Sequence, residues 1–401
     1  MGHPEGQRAN PQGSKARHRA GISTPEKGMV ANMGNAVSVI RCRLLVAIVL
    51  LAAPSRVLAE SGTIEALKKA IASAATQRAK EAKIDEAALL ARKELPSVPK
   101  GFKSSNHVML AVAAGKLTLI DPRAPIPIPE GVEEIKGIPY GRVGDRELLL
   151  DLYLPKGLEK PTPGLIFIHG GGWAKGDRKD YKYYTVRYAK RGYVVATISY
   201  RLVKEAIFPA CVQDAKCAVR WMRANADRYH IDPKRIAAIG GSAGGHLAMM
   251  LGYSAGVPEL EGKGGHAKFS SAVQAVVNLY GPVDLTGPEA RDHPTVLAFF
   301  GGKTYEEVRR HYELASPIKH LDKKDPPTLI LHGTIDELVP IAQADTLAKK
   351  LKELGIPFVY DRLEGYPHTM DLSLEVNIRC QWFINRFLEE HLSASKPRRG
   401  P

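Results

Sequence analysis

From residue 130 onward, short and wholly apolar runs alternate with longer amphipathic segments. Apolar runs of roughly four to eight residues are typical of strands buried on both faces. The predicted strands lie at residues 147–155, 164–169, 193–200, 235–240, 275–281, 328–333 and 358–363. The first, ELLLDLYLP, mixes apolar and polar positions, so we expect an antiparallel strand there. The alternation of strand and helix predicts an α/β fold with a mostly parallel central sheet and helices on both faces.

Two of the intervening segments carry clear helical patterns. ACVQDAKCAVRWMRANADRY follows Pro209, and IAQADTLAKKLKELG ends at Gly355. A glycine after the last periodic residue is a common helix C-cap because it adopts the left-handed conformation without strain. We therefore expect one helix after Pro209 and another that stops at Gly355.

The chain before residue 130 has a different character. Residues 62–95 are rich in Ala, Glu and Lys and predict one or two helices, with Asp85 as a possible N-cap and Pro96 as the stop. Their apolar face is thin, which favours a mobile arm. The segment VMLAVAAGKLTLI at 108–120 predicts two short strands around a glycine turn.

The proline-rich stretch DPRAPIPIPEG then predicts an extended linker, which places the main domain boundary near residue 130. The predicted organisation is a leader at 1–59, an N-terminal helical arm and linker at 60–130, the main α/β domain at 131–392 and a basic tail at 393–401.

The leader has the pattern of a signal peptide. Arg41 and Arg43 precede the apolar run LLVAIVLLAA, and the small-residue sequence VLA ends at Ala59. This run of about ten residues is too short to cross a bilayer, which takes about 20. We therefore expect cleavage after Ala59, a secreted or periplasmic protein and no stable membrane span, with an uncleaved anchor as the alternative.

The residues ahead of the signal peptide do not fit it. Residues 1–32 are polar and rich in Gly, Arg and Pro, which is unusual before a charged n-region. A start at Met29 or Met33 is the natural expectation.

The charge of the chain does not point to nucleic acid. The formal net charge is +15, but residues 1–59 contribute eight lysines and arginines against two acidic residues. The rest of the excess is spread thinly, without a basic stripe interleaved with aromatics. We expect a basic solvated surface and no nucleic-acid partner; the oligomeric state is left open.

The cysteines predict neither a disulfide framework nor a metal site. Cys42 lies in the leader, and Cys211 and Cys217 are six residues apart in a predicted helix, a poor spacing for a bridge. There is no CxxC pattern of the kind that binds metal. Together with Cys380, these residues are expected to be small buried hydrophobes.

A serine between glycines is the first candidate for chemistry. Ser242 lies in IAAIGGSAGGHLAMM, where the predicted strand at 235–240 passes into a helix, with the spacing Gly240-x-Ser242-x-Gly244. A serine on such a sharp turn presents its hydroxyl at the N-terminus of the following helix, whose dipole favours negative charge. A plain tight turn of small residues is the structural alternative.

A second glycine-rich loop strengthens the catalytic interpretation. HGGGW, from His169 to Trp173, follows the predicted strand at 164–169. Its run of glycines exposes backbone N–H groups that can bind the oxyanion of a tetrahedral intermediate, together with the N–H of Ala243. The sequence is neither GxGxxG nor GxxxxGK[ST], so a nucleotide site is not expected.

A serine nucleophile needs a base, and the base needs an orienting acid. Asp336 follows the predicted strand at 328–333, and His368 lies in a loop after the next strand. Carboxyl ends of parallel strands meet at one edge of the sheet, where Ser242 also lies. We therefore predict a triad of Ser242 as nucleophile, His368 as base and Asp336 as the orienting acid.

Other residues are weighed against this set. Asp284, Glu337 and Glu364 are the alternative acids. His169 is expected to brace the loop that also contains Gly170, and His246 to start a helix. Trp173 is expected in the core, with stacking on a sugar or an aromatic acyl group as its functional alternative.

These motifs make the sequence recognisable. It resembles the α/β-hydrolase superfamily over about residues 130–390, in particular the esterases with an HGGGW oxyanion loop. These include hormone-sensitive-lipase-like carboxylesterases and the acetyl and feruloyl esterases that act on plant polysaccharides. The matching segments are HGGGWAKGD, ISYRL, the block that ends in GGSAGGHLAMM, LYGPVDL, ASPIKHL and LHGTIDELVP.

The resemblance implies an α/β-hydrolase fold, the same triad and oxyanion donors from Gly171, Gly172 and Ala243. The segment between Asp284 and the next strand is only about forty residues, which indicates a small lid or none. The expected function is a secreted serine esterase of short-chain acyl, acetyl or feruloyl esters that needs no metal or other cofactor. An amidase, formamidase or serine exopeptidase of the same fold is the alternative, and an inactive binding module is a more remote one.

Overall fold

The computed structural model describes residue 88 and residues 92–99, 101–120 and 125–393 of the 401-residue chain. The predicted leader at 1–59, most of the predicted helical arm with Asp85, and the basic tail after residue 393 lie outside the described residues.

The described residues form one eight-stranded sheet in the order β1-β2-β4-β3-β5-β6-β7-β8. The strands are β1 (Val132–Val143), β2 (Arg146–Pro155), β3 (Thr162–Ile168), β4 (Val194–Ile198), β5 (Ile231–Gly241), β6 (Ala275–Leu279), β7 (Thr328–Gly333) and β8 (Phe358–Leu363). β2 pairs antiparallel with β1 and β4, and all pairings from β4 through β8 are parallel. The mostly parallel sheet and the antiparallel strand at 147–155 are thus confirmed.

Helices connect the strands. They are α1 (Ser105–Ala113), α2 (Lys182–Lys190), α3 (Ala210–Ala224), α4 (Ala243–Tyr253), α5 (Pro258–Glu261), α6 (Pro288–Arg291), α7 (Pro294–Phe299), α8 (Arg309–Leu314), α9 (Ala342–Leu354) and α10 (Leu374–Leu392). The helix predicted after Pro209 is α3, and α9 ends at Gly355, which has a left-handed φ of 70° as expected.

Two hydrophobic cores lie on opposite faces of the sheet. Successive side chains of a strand point to opposite faces, so Ile166 and Ile168 join one core while Leu165 and Phe167 join the other. Helices α3, α4 and α9 cover the first core, and α2 and α10 cover the second. The prediction of helices on both faces is therefore confirmed.

The segment at 108–120 is not a pair of strands. Residues 105–113 form helix α1, whose Ala111 and Val112 are buried, and Gly115 makes the turn that follows with a φ of 73°. A short apolar run has no periodicity that separates a helix from a strand, and here the buried contact favours the helix. The extended pairing in this segment is limited to one antiparallel bridge, between Leu119 and Ser373, and the backbone hydrogen bonds of the neighbouring residues.

The prediction that Cys211, Cys217 and Cys380 are small buried residues is confirmed, and Cys42 lies outside the described residues. Between β6 and β7 the chain forms the short helices α6, α7 and α8 and a turn at Pro317–Lys319. Among the described residues there is no helix that is long and apolar enough to cross a membrane.

Candidate active site

Ser242 lies on a strained turn between β5 and α4. Its φ of 56° and ψ of −125° are unusual for a residue other than glycine, and its N–H donates to Leu279 O at 2.9 Å. The positions of Gly240 and Gly244 beside it leave no space for a side chain. A Cβ on Gly240 would lie 2.3 Å from the carbonyl carbon of Gly244, and one on Gly244 would lie 2.0 Å from Ile168 O.

His368 is within hydrogen-bond distance of both other residues of the predicted triad. His368 Nδ1 lies 2.6 Å from Asp336 Oδ2, and His368 Nε2 lies 2.9 Å from Ser242 Oγ. The carboxylate accepts only, so Nδ1 carries the proton and Nε2 is left to accept the serine hydroxyl. Asp336 follows β7 and His368 follows β8, so the sheet edge brings the three loops together.

Asp336 is held as a carboxylate. Its Oδ1 accepts the N–H groups of Leu338 and Val339, both at 2.9 Å, and its Oδ2 faces the histidines His332 and His368. Burial alone raises the pKa of Asp336, but hydrogen bonds from His332 and His368 outweigh it and lower the pKa to about 2. The group therefore stays ionised at neutral pH.

His332 is a site residue that the sequence reasoning missed. Its Nε2 lies 3.1 Å from Asp336 Oδ2 and 2.8 Å from Val339 O, and both of these atoms are acceptors. The proton therefore sits on Nε2, and the buried Nδ1 has no hydrogen-bond partner among the described residues. His332 is the last but one residue of β7 and lies four residues before Asp336. This closeness to the predicted acid is the sequence feature that could have marked it as a site residue.

The glycine loop after β3 lies against the nucleophile. Gly171 and Gly172 have φ values of 107° and 59°, which side chains rarely adopt. A Cβ on Gly170 would lie 3.3 Å from Ser242 Cβ, and one on Gly172 would lie 2.6 Å from the methyl group of Thr295 in α7. Ala243, the first residue of α4, follows the serine and is buried. The loop and the helix N-terminus thus flank Ser242.

His169 has the contacts of a bracing residue. Its Nδ1 lies 2.9 Å from Gly170 O, and its ring stacks on Tyr200 at 4.3 Å between centroids. The Tyr200 hydroxyl donates to His169 O at 3.0 Å. Burial lowers the pKa of His169, so its imidazole is neutral at neutral pH.

Trp173 is part of the core. It is 3% exposed, stacks on Phe299 at 4.2 Å and donates its indole N–H to His246 Nδ1 at 3.3 Å. Its alternative role of stacking on a substrate is wrong, because the ring is already covered. His246 lies in the first turns of α4, and its Nε2 is 2.7 Å from Ala315 O. Burial lowers the pKa of His246 to about 4.

The alternative acids are engaged elsewhere. Asp284 Oδ1 accepts from the N–H and the hydroxyl of Thr286, Glu337 lies near Ser105, and Glu364 lies near Arg362. Of the carboxylates weighed from the sequence, Asp336 is therefore the one on His368.

A buried tyrosine–carboxylate cluster, which the sequence reasoning also missed, lies against His368. The rings of Tyr280, which has a φ of 43°, and His368 form an edge-to-face pair at 4.7 Å between centroids. Its hydroxyl donates to Asp371 Oδ1 at 2.5 Å, and Tyr184 donates to Oδ2 at 2.8 Å. The pKa of Asp371 is raised above its ordinary value because burial outweighs the lowering effect of the hydrogen bonds from Tyr280 and Tyr184. Nothing in the local sequence around these three residues predicts this long-range cluster.

A serine on a strand-to-helix turn, a histidine and an aspartate from later strand ends, and a mostly parallel sheet with helices on both faces define an α/β-hydrolase. A family model, BD-FAE, matches residues 150–351, half of the chain. The chain therefore belongs to the BD-FAE family.

Two of the relatives most similar in sequence are esterases. Esterase LipC of Mycobacterium tuberculosis is 31% identical over 67% of this chain and 71% of its own length. Esterase LipQ of the same organism is 33% identical over 64% of this chain and 62% of its own length. This chain thus spans less than two thirds of the length of LipQ.

Solved esterase structures share the fold. Esterase 2 of Thermogutta terrifontis is 27% identical, with a TM-score of 0.57 over 67% of this chain and 96% of that one. A truncated carbohydrate esterase from gut microbiota is 29% identical, with a TM-score of 0.53 over 63% of this chain and 95% of that one. The protein is a carboxylic ester hydrolase of the α/β-hydrolase fold.

Proposed function

We propose that the protein hydrolyses its esters through an acyl-enzyme formed on Ser242. The observation that carries this proposal is the continuous relay from Ser242 Oγ to His368 Nε2 at 2.9 Å and from His368 Nδ1 to Asp336 at 2.6 Å. Such a relay removes the serine proton while the carboxylate fixes the imidazole tautomer and stabilises its charged form.

The chemistry then follows in two halves. Ser242 Oγ attacks the ester carbonyl, His368 takes the hydroxyl proton, and the tetrahedral oxyanion is bound by the N–H groups of Gly171, Gly172 and Ala243. His368 returns the proton to the leaving alcohol as the C–O bond breaks. A water molecule, deprotonated by His368, then attacks the acyl carbonyl. As the bond from the acyl carbon to Ser242 Oγ breaks, His368 returns that proton to Ser242 Oγ and the acid is released.

Short acyl groups are the proposed substrates, with acetyl or feruloyl esters of polysaccharides as the natural candidates. Only short helices, α6 to α8, lie between β6 and β7, which supports a small lid that leaves the alcohol side open. Two related structures support the size of the acyl group, since esterase 2 of Thermogutta terrifontis is described with butyrate and with propionate bound. The relative from gut microbiota is a carbohydrate esterase, which supports the polysaccharide.

The test is hydrolysis of a p-nitrophenyl ester series from acetate to a long acyl chain by wild type and Ser242→Ala. We expect the short esters to be fastest and the variant to lose about 10⁴–10⁶-fold in kcat. Retained activity in the variant would refute the mechanism. If no ester is turned over, formamides and other amides are the next substrates to test.

We also propose export with cleavage after Ala59, on the charged, apolar and small-residue segments of residues 41–59. The test is expression of the full chain in a bacterial host that exports proteins, followed by N-terminal sequencing of the product from each fraction. A mature protein that begins at Glu60 in the exported fraction is expected. An intact N-terminus in the membrane fraction would instead identify the segment as an anchor.

A further inference from the structure

The loop that carries His368 needs support from outside itself. It connects β8 to α10 over residues 364–373, and a turn at Met370–Leu372 is its only regular structure. Thr369, directly after the histidine, has a left-handed φ of 56°. Such a conformation costs of order 1 kcal/mol or more and persists only where the surroundings hold it.

One support lies just before the histidine. The N–H of Phe102 donates to Gly365 O at 2.9 Å, and the ring of Phe102 meets that of Tyr366 edge-on at 5.6 Å. The Tyr366 hydroxyl donates to Pro99 O at 3.1 Å. The backbones are in contact, since a Cβ on Gly101 would lie 2.0 Å from Glu364 O.

A second support lies just after the histidine. Ile120 N–H donates to Leu372 O, and Leu374 N–H donates to Thr118 O, both at 2.7 Å. Thr118 N–H donates to the carboxylate of Glu375 at 3.2 Å. These contacts flank the antiparallel bridge between Leu119 and Ser373, so the two segments of the chain pair over a short length.

The chain between the two supports is packed in the hydrophobic core. Ala111, Val112 and Leu117, all at most 5% exposed, belong to the same hydrophobic core as Tyr366 and Met370 of the histidine loop. Residues 101–120, which we call the N-terminal strap, therefore fasten the loop on both sides of His368.

We propose that the N-terminal strap is a positioning element that sets the distance between His368 Nε2 and Ser242 Oγ. The inference rests on the proposed role of His368 as general base. A strap that loosens lets the loop leave the productive geometry for part of the time, which lowers kcat and leaves ester binding, and so KM, nearly unchanged. Misplacement of a catalytic group by about 1 Å can cost up to about 10²-fold.

The upstream support is tested with Phe102→Ala, which removes the ring contact with Tyr366. We expect kcat for p-nitrophenyl acetate to fall about 10-fold to 10²-fold with KM within about twofold. Phe102→Leu, which refills much of the space, should recover most of the activity. Leu110→Ala is the matched control on the same segment, because Leu110 is 48% exposed.

The downstream support is tested with a pair of substitutions at one position. Ile120→Pro removes the N–H that bonds Leu372 O, whereas Ile120→Ala shortens the side chain and keeps that N–H. We expect the proline variant to lose kcat and the alanine variant to retain more of it. This pair keeps the proposal testable if Phe102→Ala does not fold.

A readout apart from activity is the hydrogen exchange of two peptides, residues 364–375 with the histidine loop and residues 236–250 with Ser242. We expect faster exchange in the first and no change in the second for Phe102→Ala and Ile120→Pro. Leu154→Ala, in the hydrophobic core on the opposite face of the sheet from the strap, is the control for a general loss of stability and should leave kcat unchanged.

Unchanged exchange of 364–375, or faster exchange with an unchanged kcat, would overturn the proposal. Equal losses of kcat in Leu154→Ala and Phe102→Ala would also overturn it, because the effect would then be one of stability alone. Activity that survives Ser242→Ala would instead refute the proposed function, while the exchange measurement would still report on the strap.

Discussion

Asp336 concentrates four donors on one carboxylate. Leu338 and Val339 donate backbone N–H groups, and His332 and His368 lie on the other oxygen. These hydrogen bonds restrict rotation of the carboxylate, so the Oδ2 that orients His368 is held in one position. His332 is in this sense part of the reason that His368 keeps one tautomer.

This arrangement has a consequence for stability in acid. The folded pKa of Asp336, lowered to about 2, lies below the ordinary value of 3.8. The contribution of ionised Asp336 to the free energy of unfolding is therefore fully present above about pH 5 and is lost as the pH falls toward 2. The shift corresponds to about 2 kcal/mol of unfolding free energy.

We expect the difference in unfolding free energy between wild type and Asp336→Asn to shrink by about 2 kcal/mol between pH 5 and pH 2. Denaturant titrations of both proteins at each pH measure it. A difference that stays constant, or that grows as the pH falls, would contradict the assignment of the charge to Asp336.

At the scale of elements, the loop from β3 to Trp173 and the turn from β5 to α4 act as one unit. Gly170 approaches Ser242 Cβ, and Gly244 approaches Ile168 O at the end of β3. Neither contact leaves space for a side chain. The glycines around the serine are therefore explained by close approach as much as by their own φ angles.

Gly171→Ala tests the loop as an oxyanion site. Gly171 has a φ of 107°, and a Cβ there would lie 2.2 Å from Lys175 O, so the loop must shift and move its N–H groups. We expect kcat for p-nitrophenyl acetate to fall by about 10²–10³-fold, as for one lost oxyanion donor.

The matched control is Gly157→Ala, because Gly157 also has a positive φ, 70°, but has nothing within 4 Å of its absent Cβ. It carries the conformational strain without the displacement of a neighbour, and it lies away from the serine after β2. Equal losses of activity in the two variants would show that the glycine loop has no special role.

Elements differ in how far their sequence predicts them. The strand at 328–333 is wholly buried on both faces, so its apolar run predicts it without ambiguity. The sequence predicts strands where helix α1 forms, because the run of apolar residues is short and its burial depends on the distant loop around Tyr366. Tertiary contact decides that segment, and local pattern does not.

At the scale of the whole molecule, parallel topology explains why the site could be predicted. Ser242, Asp336 and His368 each follow a strand of the same parallel set, so their chain order alone places them at one edge. His332, the tyrosine–carboxylate cluster and the N-terminal strap could not be predicted in this way. They act through contacts between residues far apart in the chain, such as Tyr280 with Asp371.

The central claim is that Ser242 is the nucleophile activated by His368. The most direct measurement is reaction of the purified protein with a fluorophosphonate, followed by intact mass and peptide mapping of wild type, Ser242→Ala and His368→Ala. The account predicts one adduct per chain, on Ser242, absent from the first variant and formed much more slowly in the second. A folded, ester-hydrolysing protein that takes no adduct, or takes it on another residue, would contradict the account.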